Sequence, residues 1–549
     1  MESKDQAKMT SFDEVIHNVG GCGHFQGLVG LAVYAIMIVS VSGMMFMAFG
    51  SYNPGWTCLD DILSPENITA QNASESERSG DQCQNFNTCQ NRSFLSGTST
   101  VTTEWSLVCD QTWALDVILT VQIVGVMLGA YIIGHLGDCL GRRGSLYGMV
   151  ALHCVANLLA VFSPSWEFFA AVRFFIGIAV GAILTTGPLI PQEFTSPFCR
   201  GVLGTLPDWS FGSALFAVAV IVLKDWRHLH VLIAVASGLV FLPVFWVPES
   251  FRWLAVQGRD SQAAAVTDKM ARLNKRPSPS SELVKSIAES ERQRALVENS
   301  ARYSYLDLFR NSSIRKSTIC MGFVWFFMAI IYFGISFNVT ALSGDFYLNF
   351  LILSVMEIAS ILFALPVMSF LSRRWGSVLH LFIVTLACFG VTIVTRTLGG
   401  DPEDEHNENE NELKGKLIVG LVVVAKLSII AAWNVVLIFC VELFPTAVRN
   451  LAFGYCNTLT RVGTLIGPIL FPKDPALLYI AMACMGVFTV FSAVLVLVLP
   501  ETKGQPLEDM LPSKALLNGT HHLRRIESDQ IEQHGDLDLM EVDEHGKIV

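Results

Sequence analysis

The sequence predicts an all-α polytopic membrane protein, with twelve transmembrane helices in two pseudo-symmetric six-helix bundles. Three observations predict it. Of 549 residues, 52% are hydrophobic and only 15% charged, where a soluble chain carries roughly 25% charged residues. Twelve apolar runs approach the length of about 20 residues that crosses a bilayer. A charged phrase also occurs twice, EFTSPFCR at Glu193 to Arg200 and ELFPTAVR at Glu442 to Arg449, almost half a chain apart. Each copy follows an apolar run, contains a Pro and ends on Arg. PES at Pro248 and PET at Pro500 repeat at nearly the same interval. Two related halves embedded in membrane are an architecture found mostly among transporters.

The runs fall at 27–50, 113–136, 145–163, 167–190, 202–223, 229–248, 317–340, 347–371, 377–397, 415–441, 452–471 and 476–499. This order gives an N-terminal segment 1–26, a first bundle 27–248, a polar stretch 249–316, a second bundle 317–499 and a tail 500–549. An even number of spans puts both termini on one side. Arg142, Arg143, Arg200, Arg373, Arg374 and Arg449 all fall on the face that holds 249–316, and the excess of basic residues in short loops marks the cytoplasmic side. Segment 1–26 is polar and does not read as a cleaved leader. The acidic segment 401–412 suits the outer face. The tail from Ser513, polar and mixed in charge, reads as disordered and cytosolic.

The loop 51–112 falls outside. It holds Cys58, Cys83, Cys89 and Cys109 and the sequons at Asn67, Asn72 and Asn91. An oxidising compartment favours two disulfides there, with three connectivities open, and glycans on the sequons.

Charge collects at the inner ends of the spans. GHLGDCLGRR, Gly134 to Arg143, joins spans two and three, with Gly141 for a tight turn, Asp138 placed for a cationic partner or a helix start, and Arg142 and Arg143 placed for carboxylates. The corresponding turn, SFLSRR at Ser369 to Arg374, keeps the Arg pair but has Ser369 and Ser372 in place of Asp138 and Gly141, so the second copy is expected to be weaker. With Glu193, Arg200, Glu249, Arg252, Glu442, Arg449 and Glu501, these residues form an expected cytoplasmic gate whose ion pairs between the halves hold the inner mouth shut and break when it opens. Single exposed pairs contribute only about 0–1 kcal/mol, but several together bias states that differ by a few kcal/mol.

Taken together, these phrases resemble the major facilitator superfamily and, within it, the organic cation/carnitine/organic anion transporter family. STVTTEWSLVCD (Ser99 to Asp110), PESFRWLAVQGR (Pro248 to Arg259), YLDLFRNSSIRKSTI (Tyr305 to Ile319), ELFPTAVRN and LPETKGQPLED (Leu499 to Asp509) are similar to segments of that family in order and spacing. The resemblance implies two six-helix bundles, a plasma-membrane location and alternating access to a central cavity for a small organic ion.

Ionisable residues within the spans cost roughly 2.5–3.5 kcal/mol each at mid-bilayer, so each needs a partner or a wet cavity. Arg461 lies deep in span eleven, where the resemblance implies contact with a substrate carboxylate; an internal salt bridge is the structural alternative. Glu357 in span eight either faces a quaternary ammonium or partners Lys426 or Arg461. The residue one turn on is Ile361, where anion carriers of the family often have Lys, which argues against a purely anionic solute. Lys426 and Arg173 divide evenly between substrate and structural roles, while Asp208 reads as a helix-start charge. Trp209, Trp325, Phe326, Tyr332 and Trp433 lie on spans that line the cavity of this fold and could supply cation–π contacts.

One cation and one carboxylate match a zwitterion such as carnitine, and the pattern is nearest the carnitine/zwitterion branch. Ser42 replaces an Asn common there, and Leu437 and Phe439 replace Tyr; coupling to sodium or protons is left open. The expected function is transport of zwitterions or organic cations. An organic anion carrier and a non-transporting receptor built on the same fold are the alternatives. No metal-ligand cluster, phosphate loop or nucleophile motif is present, and His153 reads as a packed residue, so neither catalysis nor a cofactor is expected. No basic patch suggests nucleic acid.

Overall fold

The computed structural model describes residues 12–58, 92–94, 97–196, 199, 208–299, 305–310, 312–397, 408–470 and 478–503. Each of the twelve expected runs holds a helix. In order, spans one to six are His24–Gly50, Trp113–Leu140, Arg142–Val161, Trp166–Thr186, Asp208–Leu223 and Trp226–Phe241. Spans seven to twelve are Ser312–Phe337, Phe346–Phe370, Arg373–Thr397, Glu408–Leu443, Thr446–Ile469 and Leu478–Val498. Ten of them are long and apolar enough to cross a membrane by hydropathy alone, and Asp208–Leu223 is a shorter apolar helix. Span eleven is the exception, because Arg449, Asn457, Thr460, Arg461 and Thr464 dilute its apolar character. Asp225 and Asp345 start spans six and eight by accepting amide hydrogen bonds from the first turn, which satisfies donors a helix leaves open.

The two halves pack in the same pattern. Span two lies on four and eight on ten; one lies on five and seven on eleven; three lies on six and nine on twelve. Glycine makes the closest of these approaches possible. A Cβ at Gly129 would lie 2.0 Å from the Ile178 carbonyl oxygen, and one at Gly181 2.0 Å from that of Val126, so spans two and four meet backbone to backbone. Gly463 and Gly467 play the same part between spans eleven and seven, against the carbonyls of Phe326 and Ile330. The halves meet where span five packs on eight and span eleven on two.

At one end the halves are joined. Tyr52 stacks on Phe346 with ring centroids 4.2 Å apart, Thr98 shares a 2.7 Å hydrogen bond with the Tyr347 hydroxyl, and Lys224 lies over the Tyr347 ring. The other end carries the arginine pairs, whose expected contacts across the halves belong to the state in which this end is shut. The pairs described each lie within one half: Arg142 with Glu193 at 3.4 Å, Arg373 with Glu442 at 3.1 Å, and Arg252 with Asp13. The two copies of the turn are capped alike. In the first half, Glu249 accepts the amides of Arg142 and Arg143 at 2.8 and 3.0 Å and so caps span three. In the second, Glu501 accepts the amides of Arg373 and Arg374 at 2.9 and 3.1 Å and caps span nine.

The replacement of Gly141 by Ser372 follows from this geometry. Gly141 has φ +93°, and a Cβ there would lie 2.3 Å from a Glu249 oxygen. Ser372 instead makes a side-chain hydrogen bond to Glu501. Burial alone would raise the Glu501 carboxyl, but the bonds from Ser372 and from the amides of Lys503, Arg374 and Arg373 hold it below the usual carboxylate range. Arg449 donates to the Phe444 carbonyl and Arg143 to that of Val244. The Asp138 side chain and Arg200 lie outside the described residues.

From Phe12 on, the N-terminal segment is folded. Helix Phe12–Asn18 and the turn after it pack Phe12, Val15, Ile16 and Val19 against helices Phe251–Val256, Asp260–Leu273 and Ser281–Asn299 of the stretch 249–316. Asn274 clasps the turn before span one, donating to the carbonyls of Val19 and Gly20 and accepting from the Phe25 amide. Cys22 is disulfide-bonded to Cys199, with Cα atoms 5.9 Å apart, a pairing that the sequence reading did not anticipate. Of the four loop cysteines, Cys109 is disulfide-bonded. Cys58 is described only in the backbone, where it pairs with Arg92 in a short antiparallel ribbon. Cys83, Cys89 and the sequons Asn67, Asn72 and Asn91 lie outside the described residues.

Candidate functional site

A cavity of about 450 Å³ lies between the halves. The first half contributes Leu184 from span four and Asp208, Trp209 and Ser210 from the start of span five. Spans seven, eight, ten and eleven of the second half contribute the rest, including Trp325, Tyr332, Glu357, Trp433, Asn434, Phe453, Asn457, Thr460 and Arg461. A volume of this size and a largely apolar wall with a few polar groups suit a small organic ligand. The cavity lies on the inner side of the Tyr52–Phe346 and Thr98–Tyr347 contacts, so the molecule is closed at that end.

Of the residues expected to meet substrate, Arg461, Glu357, Trp209, Trp325, Tyr332 and Trp433 line this cavity. Lys426 does not, and Phe326 lies elsewhere, packed with Phe323 and Phe327. Trp325 sits 5.5 Å from Trp433 and 5.2 Å from Phe453, centroid to centroid, and forms an aromatic wall. Arg461 is half-buried, its Nε is closed off from solvent without a hydrogen-bond acceptor, and no carboxylate pairs with it among the described residues. A guanidinium in that setting is the strongest free charge the wall offers, and its planar fork suits a carboxylate.

Glu357 is already engaged. Its Oε1 lies 3.0 Å from Lys426 Nζ and accepts a 2.8 Å hydrogen bond from the Tyr332 hydroxyl. Both side chains of the ion pair are almost fully buried, and Lys426 also donates to Ser336. Trp209 Nε1 donates in turn to the Tyr332 hydroxyl, so a hydrogen-bonded chain runs from span five through seven and eight to ten, across the junction of the halves. Of the alternatives open for Glu357, the structure shows the pairing with Lys426. A solute ammonium that displaced Lys426 would leave a buried charge unpaired, at a cost of about 3–5 kcal/mol. Lys426 also lies 3.7 Å from the centroid of the Tyr332 ring and occupies the face that a cationic solute would use.

The remaining intramembrane charges separate by role. Arg173 is fully buried, donates to Gln122 and to the Gly43 carbonyl at 2.8 Å, and lies 4.9 Å from the Phe46 ring. His153 hydrogen-bonds Ser237 at 2.9 Å and is packed, while His230 bonds Asn157. Asp208, read as a helix-start charge, lies on the cavity wall. Asn434, Asn457 and Thr460 line it as well and were not singled out; their signal was polarity on one face of otherwise apolar helices.

Comparison with known proteins agrees with this geometry. The human organic cation/carnitine transporter 2 (Homo sapiens) is 28% identical over 428 residues, 77% of this chain and 73% of its own. A β-alanine transporter of Drosophila melanogaster is 28% identical over 425 residues, 75% of this chain and 66% of its own. Solute carrier family 22 member 6-A of Xenopus laevis is 27% identical over 416 residues, 75% of this chain and 72% of its own. Among solved structures, the xylose transporter XylE from E. coli in a partially occluded inward-open conformation covers 86% of this chain and 99% of its own at 16% identity, with a TM-score of 0.55, a likeness of fold. The profile of the family described as sugar (and other) transporter matches residues 67–512, most of the chain. The chain is therefore a multi-pass membrane transporter of the sugar (and other) transporter family, within the major facilitator superfamily.

Proposed function

We propose that this transporter carries small organic zwitterions of the ammonium-carboxylate type, carnitine among them, or organic cations, across the plasma membrane by alternating access, with both termini cytoplasmic. The observation that carries the reading is Arg461, a membrane-embedded guanidinium without a carboxylate partner among the described residues, facing a small aromatic-walled cavity between the halves. Two relatives bear names that specify carnitine and β-alanine, both ammonium carboxylates. The arginine-bearing ends support the orientation. A second reading, an organic anion carrier, draws on the Glu357–Lys426 pair, which cancels one acidic group of the wall.

The test is uptake of radiolabelled carnitine, tetraethylammonium and p-aminohippurate into expressing cells, with and without sodium and at two external pH values. Carnitine accumulation above mock-transfected cells is expected. Accumulation of p-aminohippurate alone would favour the anion reading, and accumulation of none would reject the zwitterion and cation readings.

A further inference from the structure

With Glu357 and Lys426 cancelling each other, the cavity wall retains two charges. Arg461 belongs to span eleven of the second half. Asp208 begins span five of the first. Asp208 is half-buried, its Oδ1 accepts the Trp209 amide at 2.9 Å, and no basic side chain pairs with it among the described residues. Trp209 and Ser210, its neighbours in the first turn, line the same cavity.

We propose that Asp208, rather than Glu357, is the acidic group that meets the cationic end of the solute, so that a zwitterion spans the cavity from Arg461 on one half to Asp208 on the other. This assignment rests on the zwitterion reading above and adds a residue to it. It explains how an ammonium is recognised without breaking the buried Glu357–Lys426 pair. It also ties recognition to movement. A solute held by one charge from each half favours the states in which both walls reach it, and it stabilises them by its differential affinity alone. A solute carrying only a carboxylate engages Arg461 and leaves Asp208 unused.

The test is the KM of carnitine and of p-aminohippurate in Asp208→Asn and Asp208→Glu, normalised to surface protein by biotinylation. Loss of a charge-assisted contact raises KM by about 10- to 100-fold. Asp208→Asn is expected to show that rise for carnitine with p-aminohippurate changed by less than about twofold, and Asp208→Glu is expected to restore much of the carnitine affinity. An unchanged carnitine KM in Asp208→Asn at normal surface level overturns the assignment and leaves the zwitterion reading standing. An equal loss for both solutes overturns it as well, since it marks a helix-start role. If the wild-type protein takes up no carnitine, the zwitterion reading falls and the assignment with it.

Discussion

Removing Lys426 while keeping Glu357 is the perturbation that most sharply separates a structural ion pair from a substrate contact. The charged atoms lie 3.0 Å apart, with side chains 1% and 3% exposed. At an effective dielectric of about 20 their attraction is roughly 5 kcal/mol, and much of it offsets the cost of taking both groups out of water. Lys426→Met therefore leaves a buried carboxylate held only by the Tyr332 hydroxyl and is expected to destabilise the protein by about 3–5 kcal/mol. Glu357→Gln alone strands the ammonium at a similar cost. The double variant Glu357→Gln/Lys426→Met leaves neither charge unpaired, so it is expected to lie closer to wild type than either single variant. Thermal unfolding of detergent-solubilised protein, followed by loss of monodisperse fluorescent fusion, reads all four corners of the cycle. Additive effects, with the double variant as unstable as the sum of the singles, would refute the pairing argument.

Two further outcomes follow from the arginine-bearing face. Glu501 has a carboxyl held below its usual range by four donors, so its contribution to stability is present above the unfolded carboxylate pKa and is lost as pH falls through the lower folded value. Glu501→Gln should accordingly flatten the acid limb of the thermal-stability profile, and an unchanged limb would count against its capping of span nine. The Cys22–Cys199 bridge reports sidedness: if this face is cytosolic, a permeant maleimide should label both residues in untreated cells and neither after oxidant treatment. Protection before oxidation would place this face outside and reverse the proposed orientation.

Much of the scaffold was legible because a bilayer imposes a length and a composition on every span. The twelve runs follow from that, and even span eleven, the least apolar, reads as a run over 452–471. The site was legible in part. Arg461 and the aromatic residues could be singled out as costly or large groups on inner spans. The tie between Glu357 and Lys426 was open, because residues on spans eight and ten become neighbours only through helix packing. Asp208 reads as a helix-start charge by a sound rule, that an acid at a helix start is usually there for the helix, and its place on the cavity wall becomes visible only in the fold. The folded N-terminal helix did leave a trace. Phe12, Val15, Ile16 and Val19 recur at the spacing of one helical face, a signal masked by the polar residues between them. The gate residues were legible at the helix ends, whereas the capping of span three by Glu249 and of span nine by Glu501 forms only when segments distant in the chain pack together.

Arg461→Asp tests the central claim most directly, by the ratio of carnitine to tetraethylammonium uptake at matched surface expression. An Asp at this site removes a charge-assisted contact to the carboxylate and adds repulsion, so the ratio is expected to fall by at least about tenfold, with cation uptake retained or raised. An unchanged ratio would mean that the guanidinium does not read the solute, and the recognition scheme built on it would be wrong.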